Sequence, residues 1–137
     1  MSTKILIIDD DTTFDAMYSK KFSDAGFKVS IITTPSQNIV SEVRHKSPDL
    51  ILMDLLFSTS DLNGVSLATM LQANKHTKSI PIIYLTNAQI GHLGDEVKKL
   101  PSTIGFYIKV NAIPSEMVKR VSECYAEFLK KNRDGTQ

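Results

Sequence analysis

The chain has 137 residues, enough for one domain with a substantial core of its own. Apolar residues make up 42% and charged residues 23%, with a formal net charge of +1. That balance argues against a disordered polyelectrolyte and against a charged field for nucleic acid or membrane surfaces. No apolar run approaches the length of a membrane span. The opening Met1-Ser2-Thr3-Lys4 leads straight into an apolar run, so no secretory leader is expected. The lone Cys124 cannot form an internal disulfide, and a reducing cytoplasm is the expected location.

Short apolar runs alternate with longer helical patterns along the chain, which predicts βαβ units. The first strand is expected from Lys4 to Ile8. A helix follows, with Phe14, Met17, Tyr18 and Phe22 at helical spacing, and Gly26 closes it. The second strand spans Phe27 to Thr33, and the second helix starts near Pro35-Ser36 with Ile39, Val40 and Val43 inward. Ser47-Pro48-Asp49 turns into a third strand, Leu50 to Met53. A long loop covers Leu55 to Asn63, and a third helix runs from Gly64 to Ala73. Pro81 opens the fourth strand, Ile82 to Leu85.

The fourth helix places Ile90, Leu93, Val97 and Leu100 at the right spacing, but Gly91 and Gly94 interrupt it. Each glycine costs about 1 kcal/mol relative to alanine, so a frayed element is expected there. The fifth strand is Ile104 to Ile108. The fifth helix starts near Pro114 and shows Met117, Val118, Val121, Tyr125, Phe128 and Leu129. Residues 1–131 thus form a (βα)5 three-layer α/β sandwich, and 132–137 a disordered polar tail.

Polar groups stand where the apolar runs stop. Asp9 and Asp10 follow the first run, Asp54 the third, Thr86 the fourth and Lys109 the fifth. Ligands of open α/β sheets bind outside the carboxyl ends of the strands. A flavodoxin-like strand order, 2-1-3-4-5, would set the first and third strands side by side and bring the three carboxylates together. Carboxylates that close raise one another's pKa unless a cation neutralises them, and Mg²⁺ takes such hard oxygen ligands. A carboxylate can also act as a nucleophile toward phosphorus, while a lysine and a hydroxyl can bind phosphoryl oxygens.

In order and spacing this set resembles that of response regulator receiver domains, over roughly residues 3 to 129. The carrying motifs are Asp9-Asp10 after Ile5-Leu6-Ile7-Ile8, Asp54 closing Pro48 to Met53, Thr86 closing Pro81 to Leu85, and Lys109. The resemblance implies that Asp54 accepts a phosphoryl group from a histidine kinase or phosphotransfer protein. It implies that Asp10 and Asp54 ligate Mg²⁺ with the backbone carbonyl of Leu56, and that Asp9 acts mainly through water. Thr86 and Lys109 would read the phosphoryl oxygens, and Phe106 would occupy the family's aromatic switch position. The domain would be no enzyme in the strict sense, but a phosphoacceptor promoting its own modification. Its output would be a downstream protein partner, reached through helix four, strand five and helix five. The same face offers a homodimer contact, and no direct nucleic-acid or membrane contact is expected. No output domain follows helix five, which fits a stand-alone regulator, or a piece of a longer protein with the polar tail as its linker.

Several positions depart from the family pattern. The loop after Asp54 lacks the usual proline, carries Asn63 before Gly64, and is about two residues long for the family. The usual Lys-Pro pair is Lys109-Val110, where a cis bond would cost about 2.5–4 kcal/mol. A trans bond and a less firmly fixed Lys109 are expected. Asn87 replaces a small residue beside the site. Leu56 and Ala88, two residues beyond Asp54 and Thr86, cannot orient an attacking water, so slow loss of the phosphoryl group is expected.

Two other functions fit parts of the pattern. Asp9-Asp10-Asp11-Thr12-Thr13 matches the motif of haloacid dehalogenase-type phosphatases, with Asp9 as nucleophile and Asp11 as general acid. That reading leaves Asp54 without a role and the chain without room for a cap. The simpler reading of Asp11 is a helix cap. The atypical loops also suit a pseudo-receiver, a binding module that works without phosphorylation. His45, His76 and His92 lack metal-ligand spacing and are expected at the surface.

Overall fold

The computed structural model describes residues 2–58, 61–86, 91–109 and 113–135. Five parallel strands form one sheet: β1 (Lys4–Ile8), β2 (Lys28–Ile32), β3 (Leu50–Met53), β4 (Ile82–Thr86) and β5 (Thr103–Ile108). Their order is β2-β1-β3-β4-β5, the flavodoxin-like arrangement expected. Five helices alternate with them: α1 (Thr12–Asp24), α2 (Ile39–Lys46), α3 (Gly64–Gln72), α4 (Gly91–Lys98) and α5 (Pro114–Gly135). Among the described residues, no helix is long and apolar enough to cross a membrane.

Two-residue periodicity splits each central strand between two cores. Leu6, Ile8, Ile51, Met53, Ile82 and Tyr84 face one way, onto Ile39 and Val43 of α2, Leu67 and Leu71 of α3, and Val97 of α4. Ile5, Ile7, Leu50, Leu52, Ile83 and Leu85 face the other way, onto Phe14, Tyr18 and Phe22 of α1 and Met117 and Val121 of α5. Being apolar on both faces is what makes these strands unbroken hydrophobic runs in the sequence. β2, at the sheet edge, is only partly buried and correspondingly more polar.

Local chemistry sets the helix ends. Asp11 caps α1, its Oδ1 accepting from the backbone N–H groups of Thr13 and Phe14. After Ala25 the chain turns at Gly26 with φ 98°, a left-handed backbone that favours glycine. Asn63 and Ser66 form a reciprocal capping box at the start of α3.

Three expectations need correction. Met17 and Leu129 point outward, 43% and 47% exposed. The stripe of α1 that meets the sheet follows Phe14, Asp15, Tyr18 and Phe22 instead. The polar residues 132–135 continue α5 to Gly135, because nothing before that glycine breaks a helix and the basic residues suit a C-terminal end. The helix α4 runs through Gly94 without a break, and a Cβ there would meet the Phe106 ring at an ordinary contact distance of 3.4 Å. Ile90 and residues 136–137 lie outside the described residues.

Candidate functional site

Backbone ladders extend one residue beyond β1 and β3 and so fix where the carboxylates begin. The N–H of Asp9 donates to the carbonyl of Ile32 on β2 at 3.1 Å, and that of Asp54 to the carbonyl of Ile8 on β1 at 3.1 Å. The carboxylates of Asp9, Asp10 and Asp54 consequently converge, with one oxygen from each lying within 4.8 Å of the others. Lys109, just past β5, reaches across to them. Its Nζ donates to Asp54 Oδ2 at 3.1 Å and makes a short ion pair with Asp9 Oδ2. The other oxygens of both partners are also engaged. Asp9 Oδ1 accepts from the Asp11 N–H at 2.9 Å, and Asp54 Oδ1 from the Leu55 N–H at 2.7 Å.

Lys109 is therefore firmly held, contrary to the expectation drawn from Val110. Its side chain is only 5% exposed, and Nζ also sits 3.8 Å from the centre of the Phe14 ring. Burial by itself would lower its pKa, but the charges and hydrogen bonds of Asp9 and Asp54 outweigh burial and hold it above the ordinary lysine value. Burial raises the pKa of Asp9, against the pull of Lys109. Three carboxylates face one ammonium group, a formal balance of −2. Hard oxygen donors with excess negative charge suit Mg²⁺, and the residues present fit that ion.

Asp10 is the most open of the three. Its Oδ2 accepts from both the N–H and the hydroxyl of Ser58, at 2.6 and 2.8 Å. Behind Asp54, the N–H of Gly64 donates to the carbonyl of Leu55 at 2.8 Å. A Cβ on Gly64 would lie 2.6 Å from the Asp54 carbonyl oxygen, so only glycine lets α3 approach this closely. The exposed Leu56 pairs with Asn63 in an isolated antiparallel bridge, which closes the loop.

Thr86 is buried at the end of β4, next to β3 at the same edge of the sheet. Phe106 lies apart from the charges. It packs beside Tyr84 with ring centres 6.2 Å apart, under Lys98 of α4 at 4.8 Å. Asp11 is taken up by helix capping, as its simpler reading held. Val110, Asn87 and Ala88 lie outside the described residues. His45, His76 and His92 are exposed, as expected.

Sequence reasoning missed three participants. Phe14 was legible only as core. Asp15 was legible in principle, because it sits three residues before Tyr18 and seven before Phe22 and so shares their buried face. It is 2% exposed, neither carboxylate oxygen has a hydrogen-bond partner, and burial together with the charge of Asp9 pushes its pKa up to about 7. Ser58 carried no signal, since a loop serine has no periodicity to betray it.

Comparison with known proteins agrees with this architecture. The model of the response regulator receiver domain matches residues 5–100. That span includes the three aspartates and Thr86 but stops before Lys109. The response regulator MtrA of Mycolicibacterium smegmatis, described as DNA-binding, is 32% identical over 134 residues, covering 98% of this chain and 54% of that protein. The regulator RpaA of Synechocystis is 29% identical over 118 residues, 86% of this chain and 47% of its own. The chain thus spans about half the length of the curated relatives it matches. Among solved structures, a CheY-like receiver domain protein from Methanospirillum hungatei superposes with a TM-score of 0.81 at 19% identity, over 96% of this chain and 99% of that one. The chemotaxis protein CheY4 of Vibrio cholerae gives 0.77 at 21% identity, over 90% and 99%. With the matching strand order and the acidic cluster at the expected edge, the chain belongs to the response regulator receiver domain family.

Proposed function

We propose that the chain is a phosphorylation-gated signalling switch whose phosphoacceptor is Asp54. The observation that carries this reading is the convergence of three carboxylates from two strand ends, two of them paired with one lysine. A carboxylate oxygen of Asp54 attacks the phosphorus of a phosphohistidine on a histidine kinase or phosphotransfer protein. An O–P bond forms, the P–N bond breaks, and the imidazole nitrogen keeps the electron pair. Asp10, Asp54 and the Leu56 carbonyl would hold Mg²⁺, with Asp9 acting through water; the ion would neutralise charge on the transferring group. Lys109 already stands against Asp54 and can follow a phosphoryl oxygen, and the Thr86 hydroxyl can donate a second bond. Receiver domains do not turn over an external substrate, and this chain is classed with them.

Output follows from population shift. When Thr86 moves toward the phosphoryl group, the space it leaves admits Phe106, and the surface of α4, β5 and α5 changes for a protein partner or a second copy. Moving such an equilibrium from 1:99 to 99:1 needs about 5.5 kcal/mol. Two or three charge-assisted hydrogen bonds at about 1.5–3 kcal/mol each supply it. The test is labelling by acetyl phosphate. Wild type is expected to take up one phosphoryl group in a Mg²⁺-dependent manner, and Asp54→Asn none. Wild-type labelling in Asp54→Asn would refute the site. No labelling of either, with no amide shifts near Asp54, Thr86 and Phe106 on adding Mg²⁺ and beryllium fluoride, would favour a pseudo-receiver.

A further inference from the structure

The loop after β3, which contains no proline, reaches the acidic cluster through Ser58. Ser58 brings two donors to a single carboxylate oxygen, Asp10 Oδ2: its backbone N–H at 2.6 Å and its hydroxyl at 2.8 Å. A proline in its place has neither group. Hydrogen bonds to an ionised carboxylate are among the stronger ones, and two converging on one oxygen fix the carboxylate's rotation.

We infer that Ser58 is a positioning residue for metal binding, holding Asp10 by Oδ2 so that the carboxylate meets a divalent cation already oriented. This rests on the reading that Asp10 is a ligand of the metal. Groups that hydrogen-bond a ligating carboxylate from outside preorganise it, and removing them typically weakens metal affinity about 10–100-fold. Ser58 also makes the loop part of the site. The Gly64 N–H on the Leu55 carbonyl joins the two ends of the loop, and Ser58 touches the acidic cluster. A cation drawn to Asp10 therefore acts on a surface loop as well as on the sheet edge.

The experiment is a Mg²⁺ titration of the full chain, without phosphoryl donor, read by amide NMR. Wild type, Asp10→Asn, Ser58→Ala, Ser58→Thr and Ser58→Pro are compared. Asp10→Asn is expected to abolish binding. Ser58→Pro should weaken it about tenfold or more and Ser58→Ala several-fold, while Ser58→Thr, which keeps both donors, should stay within about twofold of wild type. At saturation the Ser58 amide proton should keep its low-field, hydrogen-bonded shift. A purely structural role would predict neither the retained shift nor the rescue by threonine. Should Ser58→Pro disturb folding, Ser58→Ala decides, because it keeps the backbone donor. Binding as tight as wild type in Ser58→Ala overturns the proposal, and tighter binding would show that the donors compete with the cation. Loss in Asp10→Asn beside unchanged Ser58 variants sinks the role of Ser58 alone. A wild type that binds no Mg²⁺ removes the metal reading, and this inference with it.

Discussion

The acidic pocket and the aromatic patch where α4 lies on β5 occupy the same half of the sheet but are held by different forces. In the pocket, Asp9 and Lys109 are almost fully buried and joined by an ion pair, with Asp54 as second partner and the Phe14 ring beside the ammonium. In the patch, Phe106 is half-buried against Tyr84 and Gly94, with an exposed lysine above it. The hydroxyl of Tyr84 is buried without a well-formed hydrogen bond, and burial pushes its pKa up to about 12, with Thr103 pulling the other way. Separating buried charges costs several kcal/mol, whereas re-seating a half-exposed ring costs far less. The proposed switch would use that division, with the pocket as a trigger that only new charge can reset and the patch as a reporter that a small bias can move.

The harshest way to break the pocket is to remove its cation. Lys109→Met leaves Asp9 and Asp54 facing each other in a buried site. Losing one partner of a buried pair typically costs about 3–5 kcal/mol, and that loss is expected in urea denaturation without divalent ions. Mg²⁺ should restore part of it, because the same carboxylates can then be neutralised by the metal. A loss below about 1 kcal/mol would mean that the pair behaves like a solvated surface pair.

Asp15 sharpens the comparison, since it adds a buried carboxylate beside the pocket without a partner. Its folded pKa is raised to about 7, from 3.8 for an ordinary aspartate. The folded state therefore binds more protons than the unfolded state between these values, and stability falls as pH rises through that window. Below pH 4 both states are protonated and Asp15 carries no penalty. Above pH 7 both are ionised and the full penalty applies, at most about 4 kcal/mol for a shift of this size. Asp15→Asn should thus be more stable than wild type, with a margin that widens from pH 5 to pH 8. Urea midpoints at the two pH values measure it, and a margin independent of pH would show that Asp15 titrates normally.

The two regions also differed in how far the sequence revealed them. Strand order, both cores and the convergence of Asp9, Asp10, Asp54 and Lys109 were legible, because apolar runs ending in polar residues locate the carboxyl edge of a parallel sheet. What lay hidden depends on contacts between elements with no common period. Lys109 looked loosely held because its neighbour in sequence is Val110, yet the Phe14 ring, Asp9 (100 residues earlier) and Asp54 (55 residues earlier) hold it. Gly94 reads as a break in a helix, yet α4 continues through it with the Phe106 ring alongside. Asp15 was overlooked because polarity argues for the surface, although its position on α1 faces the core.

Lys98→Ala tests the patch and should have the smallest effect. The ammonium stands 4.8 Å from the centre of the Phe106 ring, and an exposed cation–π contact contributes about 0.5–1 kcal/mol. That contact exists only while the ring lies where it now lies. If Phe106 moves inward on activation, the contact stabilises the resting state alone. Its removal then biases the equilibrium toward activation by about twofold to fivefold. Beryllium fluoride should bind Lys98→Ala correspondingly more tightly, while the free domain loses a similar fraction of a kcal/mol in stability. If Phe106 stays in place, the stability loss remains but the affinity does not change. Measuring both quantities on one variant therefore separates a ring that reports the state of Asp54 from one that only fills space beneath α4.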